Sequence, residues 1–90
     1  MNKRLHAYYS GSVQGVGFRY SAERTAELFK ITGWVKNLRD GRVELVCEGK
    51  DASLKEFLQK IEAMFGSYIQ DKDIGWKEAT GEFDYFDIRF

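Results

Sequence analysis

Residues 54–65 place Leu54, Phe57, Leu58, Ile61, Met64 and Phe65 so that each has another of the set three or four positions away, an apolar stripe that runs unbroken to Gly66. That spacing gathers the six side chains on one side of a helix. Asp51 or Ser53 is placed to cap its start, and Gly66 to end it. A helix with one apolar side has to be covered, and a chain of 90 residues has a single small core in which to do it. The remaining sequence must therefore supply a surface that fits this stripe.

That surface reads as a sheet. Residues 4–10 alternate Leu5, Ala7 and Tyr9 with His6, Tyr8 and Ser10, the period of a half-buried strand. After a glycine-rich loop, Ala22, Ala26 and Phe29 recur at helical spacing over about 18–29, with Val16 or Phe18 closing the first turn onto the core. Residues 34–36 and 42–48 read as two strands joined by a short loop, whose Asp40-Gly41 pair supplies the turn. Beyond Gly66, residues 67–72 read as a polar connection and 74–79 as a weaker strand. Residues 82–90 end in Phe86, Ile88 and Phe90, alternating with Asp87 and Arg89. The order is β-α-β-β-α-β, with the last β open to division in two. It predicts one α+β domain over 1–90: a split βαβ sandwich, an antiparallel sheet with both helices on one face.

Composition narrows the class. Hydrophobic residues at 43% and charged ones at 31% belong to a packed globular chain. A single cysteine, Cys47, rules out an intramolecular disulfide, and no apolar run approaches the ~20 residues needed to span a membrane. The N-terminal segment does not read as a signal peptide, so a reducing, cytoplasmic setting and no membrane partner are expected. Formal charge is zero, but residues 1–45 hold eight Lys/Arg against four Asp/Glu, and residues 46–90 hold six against ten. The basic half suits a local anion site, and the neutral total argues against a broad nucleic-acid face. Base-stacking on the sheet is disfavoured too, because Glu44 and Glu48 flank Val46 on its noncore side.

Two places carry the chemistry. Gly11-Ser12-Val13-Gln14-Gly15-Val16-Gly17-Phe18-Arg19 joins the first strand to the first helix. Such glycines serve either a tight connection or a cradle in which backbone N–H groups and a helix start face an anion, with an arginine fork matched to phosphate oxygens. The loop is not a P-loop, since Lys-Ser/Thr does not follow its last glycine, and no acidic residue on a parallel βαβ unit completes a dinucleotide fingerprint. Asn37, at a strand end, is either a turn residue or an amide that accepts a hydrogen bond from a water held against a bound phosphorus.

Taken together, the residues resemble a known family. Gly11-x-Val13-Gln14-Gly15-Val16-Gly17-Phe18-Arg19, then Gly33-Trp34-Val35-Lys36-Asn37-Leu38-x-Asp40-Gly41-x-Val43-Glu44, and the following Gly49, are similar to the acylphosphatases, which hydrolyse the carboxyl-phosphate bond. The likeness covers nearly the whole chain, with two motifs at the right separation. It implies a ferredoxin-like fold and a phosphate cradle made by backbone N–H groups of Gln14, Gly15, Val16, Gly17, Phe18 and Arg19. It also implies Arg19 as the catalytic phosphate-binding arginine and Asn37 as the residue that orients the attacking water. It implies a small-molecule acyl phosphate as substrate, phosphate or sulfate as site ligands, and no metal or organic cofactor. Breaking an acyl phosphate releases a carboxylate whose conjugate acid has a pKa near ~4, so no general acid is required. A noncatalytic phosphate-sensing domain would share the loop but has no use for the amide.

The sequence departs from the family pattern at Lys30, where a glycine is expected after the first helix, and at Ser67, where a proline is expected after Gly66. A left-handed backbone at Lys30 would cost about 1 kcal/mol relative to glycine. His6 reads as a structural or solvent-facing residue and Cys47 as a small core residue. Apolar stripes on both helices are explained by one core, which makes a monomer the expectation.

Overall fold

The computed structural model describes residues 2–90. The chain runs β1 (Asn2–Gly11), α1 (Phe18–Leu28), β2 (Thr32–Asn37), β3 (Val43–Lys50), α2 (Asp51–Phe65), β4 (Ile69–Glu78) and β5 (Phe86–Arg89). Its strands form one sheet in the order β4-β1-β3-β2-β5. The two helices cover one face, and the final β is divided into two strands. The expected ferredoxin-like arrangement is present, with one correction. The sheet is mixed rather than wholly antiparallel, because β5 pairs parallel with β2 from Gly33 against Phe86 to Lys36 against Arg89. β4 runs opposite to β2, so a chain that turns back after β4 and crosses to the far edge arrives parallel to β2.

Cross-strand register sets the core. Leu5 faces Cys47, Ala7 faces Leu45 and Tyr9 faces Val43, and all of these lie under the helices. Leu54, Phe57, Leu58, Ile61 and Phe65 of α2 and Phe18, Ala22 and Ala26 of α1 close on them, while Met64 stays exposed. Burying so much apolar surface on one side of the sheet stabilises both helices at once.

Two boundaries differ from expectation. Residues 69–72, expected in a connection, begin β4, which pairs with β1 from Ile69 to Glu78. β4 is an edge strand, and its charged side chains blunt the edge while erasing the apolar alternation that marks a half-buried strand. Neither Asp51 nor Ser53 caps α2. β3 runs straight into the helix through Lys50, and Asp51 occupies the first turn, where it pairs with Lys55 at 3.1 Å. Gly66 ends α2 with a right-handed φ of −53°, and Ser67 lies in a turn closed by Tyr68 N–H on the Phe65 carbonyl at 2.9 Å.

Lys30 does take the left-handed conformation, at φ 56°. The helix end needs it there: Lys30 N–H reaches the Glu27 carbonyl at 3.3 Å and Ile31 N–H the Ala26 carbonyl at 2.9 Å, the two bonds of a Schellman cap. Lys30→Gly is expected to raise stability by about 1 kcal/mol in urea denaturation, since the strain falls on the side chain and not on the bonds.

Glu48, which was expected on an open face, is only 4% exposed. The segment after β4 folds over it: Thr80 N–H, Thr80 Oγ1 and Gly81 N–H donate to its carboxylate at 2.8–2.9 Å, and Arg4 donates at 3.2 Å. Arg4 also pairs with Glu82. Burial opposes the charge, yet these donors outweigh it and hold the Glu48 carboxyl below its usual value of 4.5. A carboxylate with a depressed pKa contributes stability above the unfolded-state value and loses it as pH falls through the folded-state value. Glu48→Gln is therefore expected to cost roughly 1–3 kcal/mol at pH 7, and the gap to the parent protein is expected to narrow below pH 4.5. Urea denaturation at both pH values measures this.

Candidate active site

The loop between β1 and α1 is pinned at both ends. Val13 is fully buried, and Phe18 packs between Tyr9 and Phe65 with ring centroids 5.5 and 4.9 Å away. Val16 leans on the same core. Between these anchors Gly15 and Gly17 stand exposed with φ of 78° and 84°, a backbone that disfavours a side chain, and no atom lies within 4 Å of where a Cβ would sit. Gly17 is also the N-cap of α1, and no side chain caps that end. The first-turn N–H groups are thus available to an anion.

A side-chain brace ties this loop to the β2–β3 hairpin. Gln14 Nε2 donates to the Leu38 carbonyl at 2.7 Å and to the Arg42 carbonyl at 3.0 Å. The hairpin itself is closed by Leu38 N–H on the Arg42 carbonyl and by the Asp40 carboxylate, which accepts from Arg42 N–H at 3.1 Å and Arg42 Nε at 2.8 Å. Those bonds to Arg42 lower the Asp40 pKa. Asn37 ends β2 opposite Val43, on the side of the sheet that carries Val35 and the helices.

Val13, Gly15, Gly17, Phe18, Arg19, Tyr20 and Asn37 line one cleft of about 310 Å³. Four of the six cradle positions that the resemblance implies, Gly15, Gly17, Phe18 and Arg19, therefore meet Asn37 there. Gln14 and Val16 do not line it: the Gln14 side chain is spent on the brace and that of Val16 on the core. Arg19 is held from behind, donating through Nη1 to the Arg89 carbonyl at 3.3 Å with its guanidinium 4.7 Å from the Phe90 ring centroid. Among the described residues no carboxylate pairs with it. Asn37 Oδ1 is buried and accepts no hydrogen bond from any described group. A buried acceptor left unpaired costs roughly 1–3 kcal/mol, so one on a residue that lines a cleft calls for a partner from outside the chain.

Sequence reasoning missed three features: the Gln14 brace, Tyr20 in the cleft wall and the Phe90 backing of Arg19. Phe90 continues the alternation of Phe86 and Ile88 in sequence, but it lies beyond β5 and is 93% exposed. The remaining candidates stand elsewhere. His6 Nε2 lies 2.7 Å from Glu44 Oε2, and Tyr8 donates to the same oxygen at 3.0 Å, on the uncovered sheet face. Nearby, Arg4, His6, Tyr8, Asp73, Gly75, Trp76 and Lys77 line a second depression of about 290 Å³, where Arg4 is already engaged by Glu48 and Glu82. Cys47 is buried in the core, and that burial pushes its thiol pKa far up, leaving a poor nucleophile. No helix among the described residues is long and apolar enough to cross a membrane.

Comparison with known proteins identifies relatives both by sequence and by fold. A family model described as acylphosphatase matches residues 5–88. An acylphosphatase of Methanospirillum hungatei is 45% identical over 89 residues, spanning 97% of each chain. One of Pyrobaculum calidifontis is 44% identical over 87 residues, spanning 94% of this chain and 79% of the relative. The crystal structure of acylphosphatase from Bacillus subtilis superimposes with a TM-score of 0.88 at 30% identity, covering 98% of this chain and 99% of that one.

Proposed function

Since the chain belongs to the acylphosphatase family, hydrolases that act on acyl phosphates, we propose that residues 1–90 form one catalytic domain in which the loop holds the phosphoryl group and Asn37 delivers the water. The observation that carries this reading is the buried, unpartnered Oδ1 of Asn37, a residue that lines the same cleft as Arg19 and the two left-handed glycines. Backbone N–H groups from Gln14 to Arg19 and the Arg19 fork bind the phosphoryl oxygens and stabilise the charge that gathers on them during transfer. Asn37 Oδ1 accepts one hydrogen bond from water and turns the water oxygen toward phosphorus.

In the reaction the water oxygen bonds to phosphorus, the bond from phosphorus to the acyl oxygen breaks, and its electron pair leaves with the carboxylate. A carboxylate is stable at neutral pH, so no acid is needed at the leaving oxygen. The cleft lining offers no imidazole or carboxylate, and the proton released by water passes to a phosphoryl oxygen of the substrate. Chemistry of this kind asks for no metal or organic cofactor. We also infer a monomer in a reducing, cytoplasmic setting, supported by the shared core under both helices and the free, buried Cys47 thiol.

Hydrolysis of an acyl phosphate in ¹⁸O-water tests the step directly. One labelled oxygen is expected in inorganic phosphate and none in the carboxylate, with turnover unaffected by excess chelator. Label in the carboxylate would place the attack on the acyl carbon and overturn the assignment.

A further inference from the structure

We propose that Tyr20 is the contact for the acyl group and biases the enzyme toward acyl phosphates whose acyl part is planar and apolar, aryl carboxyl phosphates above all; this rests on the phosphate being held as proposed above. Val13 and Phe18 line the cleft but are committed to the core, at full or nearly full burial. Gly15 and Gly17 bring no side chain. Tyr20 is then the one lining residue with a large apolar surface still open, at 70% exposure.

Its position follows from the helix. Phe18 points into the core, so a residue two places on in α1 turns away from it and stands beside Arg19 at the mouth of the cleft. The cleft, at about 310 Å³, lies at the small end of the ~300–1,000 Å³ usual for ligand sites. A phosphoryl group at the glycines and Arg19 takes up its inner part, and the acyl group leaves along the wall that Tyr20 forms. A flat apolar acyl group gains contact with the ring, whereas an acetyl group is too short to cover it.

The test compares kcat/KM for benzoyl phosphate and acetyl phosphate in the parent protein, Tyr20→Ala and Tyr20→Phe. In Tyr20→Ala the benzoyl-to-acetyl ratio is expected to fall roughly three- to tenfold, with inhibition by inorganic phosphate unchanged. Tyr20→Phe is expected to keep the parental ratio. Both substrates turned over with an unmoved ratio in Tyr20→Ala would overturn the inference and leave the catalytic reading intact. Equal losses on both substrates would overturn it as well, by assigning Tyr20 to the phosphate. If the parent protein hydrolyses neither substrate, the catalytic reading falls and takes this inference with it.

Discussion

Asn37→Ala is expected to lower kcat by about a hundredfold or more, with KM and inhibition by inorganic phosphate close to parental. The amide touches water and not the phosphoryl group in this account, so its removal leaves the ground-state complex intact and raises only the barrier. Stability makes the same variant diagnostic. Asn37 Oδ1 is buried without a partner, and deleting it relieves an unpaired acceptor, so urea denaturation is expected to show a change within about 1 kcal/mol or a small gain. A turn residue would behave in the opposite way, with stability lost and turnover kept. Steady-state kinetics and denaturation on one preparation separate the two.

Arg19→Ala is expected to lose binding and turnover together, with kcat/KM down by roughly a thousandfold or more. Its guanidinium meets the phosphoryl oxygens both before and during transfer, so both parameters depend on it. The Arg89 carbonyl and the Phe90 ring hold the group in place, which lowers the ordering cost when substrate arrives. Arg19→Lys keeps the charge but loses the planar fork, and is expected to fall between the parent and alanine proteins. A KM and kcat for Arg19→Ala within about tenfold of parental values would remove the arginine from the site.

How far the sequence discloses this arrangement depends on whether a feature is local. The α2 stripe, the β1 alternation and the Asp40-Gly41 turn are local, and each appears where its pattern says except at Met64, which ends exposed near the helix terminus. The left-handed backbone at Lys30 is also legible, because a helix end imposes it whatever residue stands there. The start of β4 is not legible, because an edge strand with charged side chains has no buried face to enforce alternation. The parallel β5 follows from where the chain crosses, which no residue pattern encodes. At the site, Arg19 and Asn37 stand out by motif. The Gln14 brace joins positions 24 and 28 residues apart, and Phe90 reaches Arg19 from the other end of the chain. Such contacts exist only once the strands have paired.

The brace also bears on why so sparse a site is well ordered. Gln14 fastens the loop to the hairpin that carries Asn37, and the Glu48 cluster fastens the segment leading into β5, whose end backs Arg19. Each of the two working side chains is thus tied to a different part of the sheet, and the cleft between them is set by strand pairing rather than by loop flexibility.

The claim that the loop holds phosphate and Asn37 does not is tested most directly by titrating inorganic phosphate into the ¹⁵N-labelled protein and following its amide resonances. The account predicts that the largest shifts fall on residues 14–19, that Asn37→Ala binds phosphate as the parent does, and that Arg19→Ala does not bind it. Shifts centred instead on Arg4 and Lys77 across the open sheet face, or loss of binding in Asn37→Ala, would contradict it.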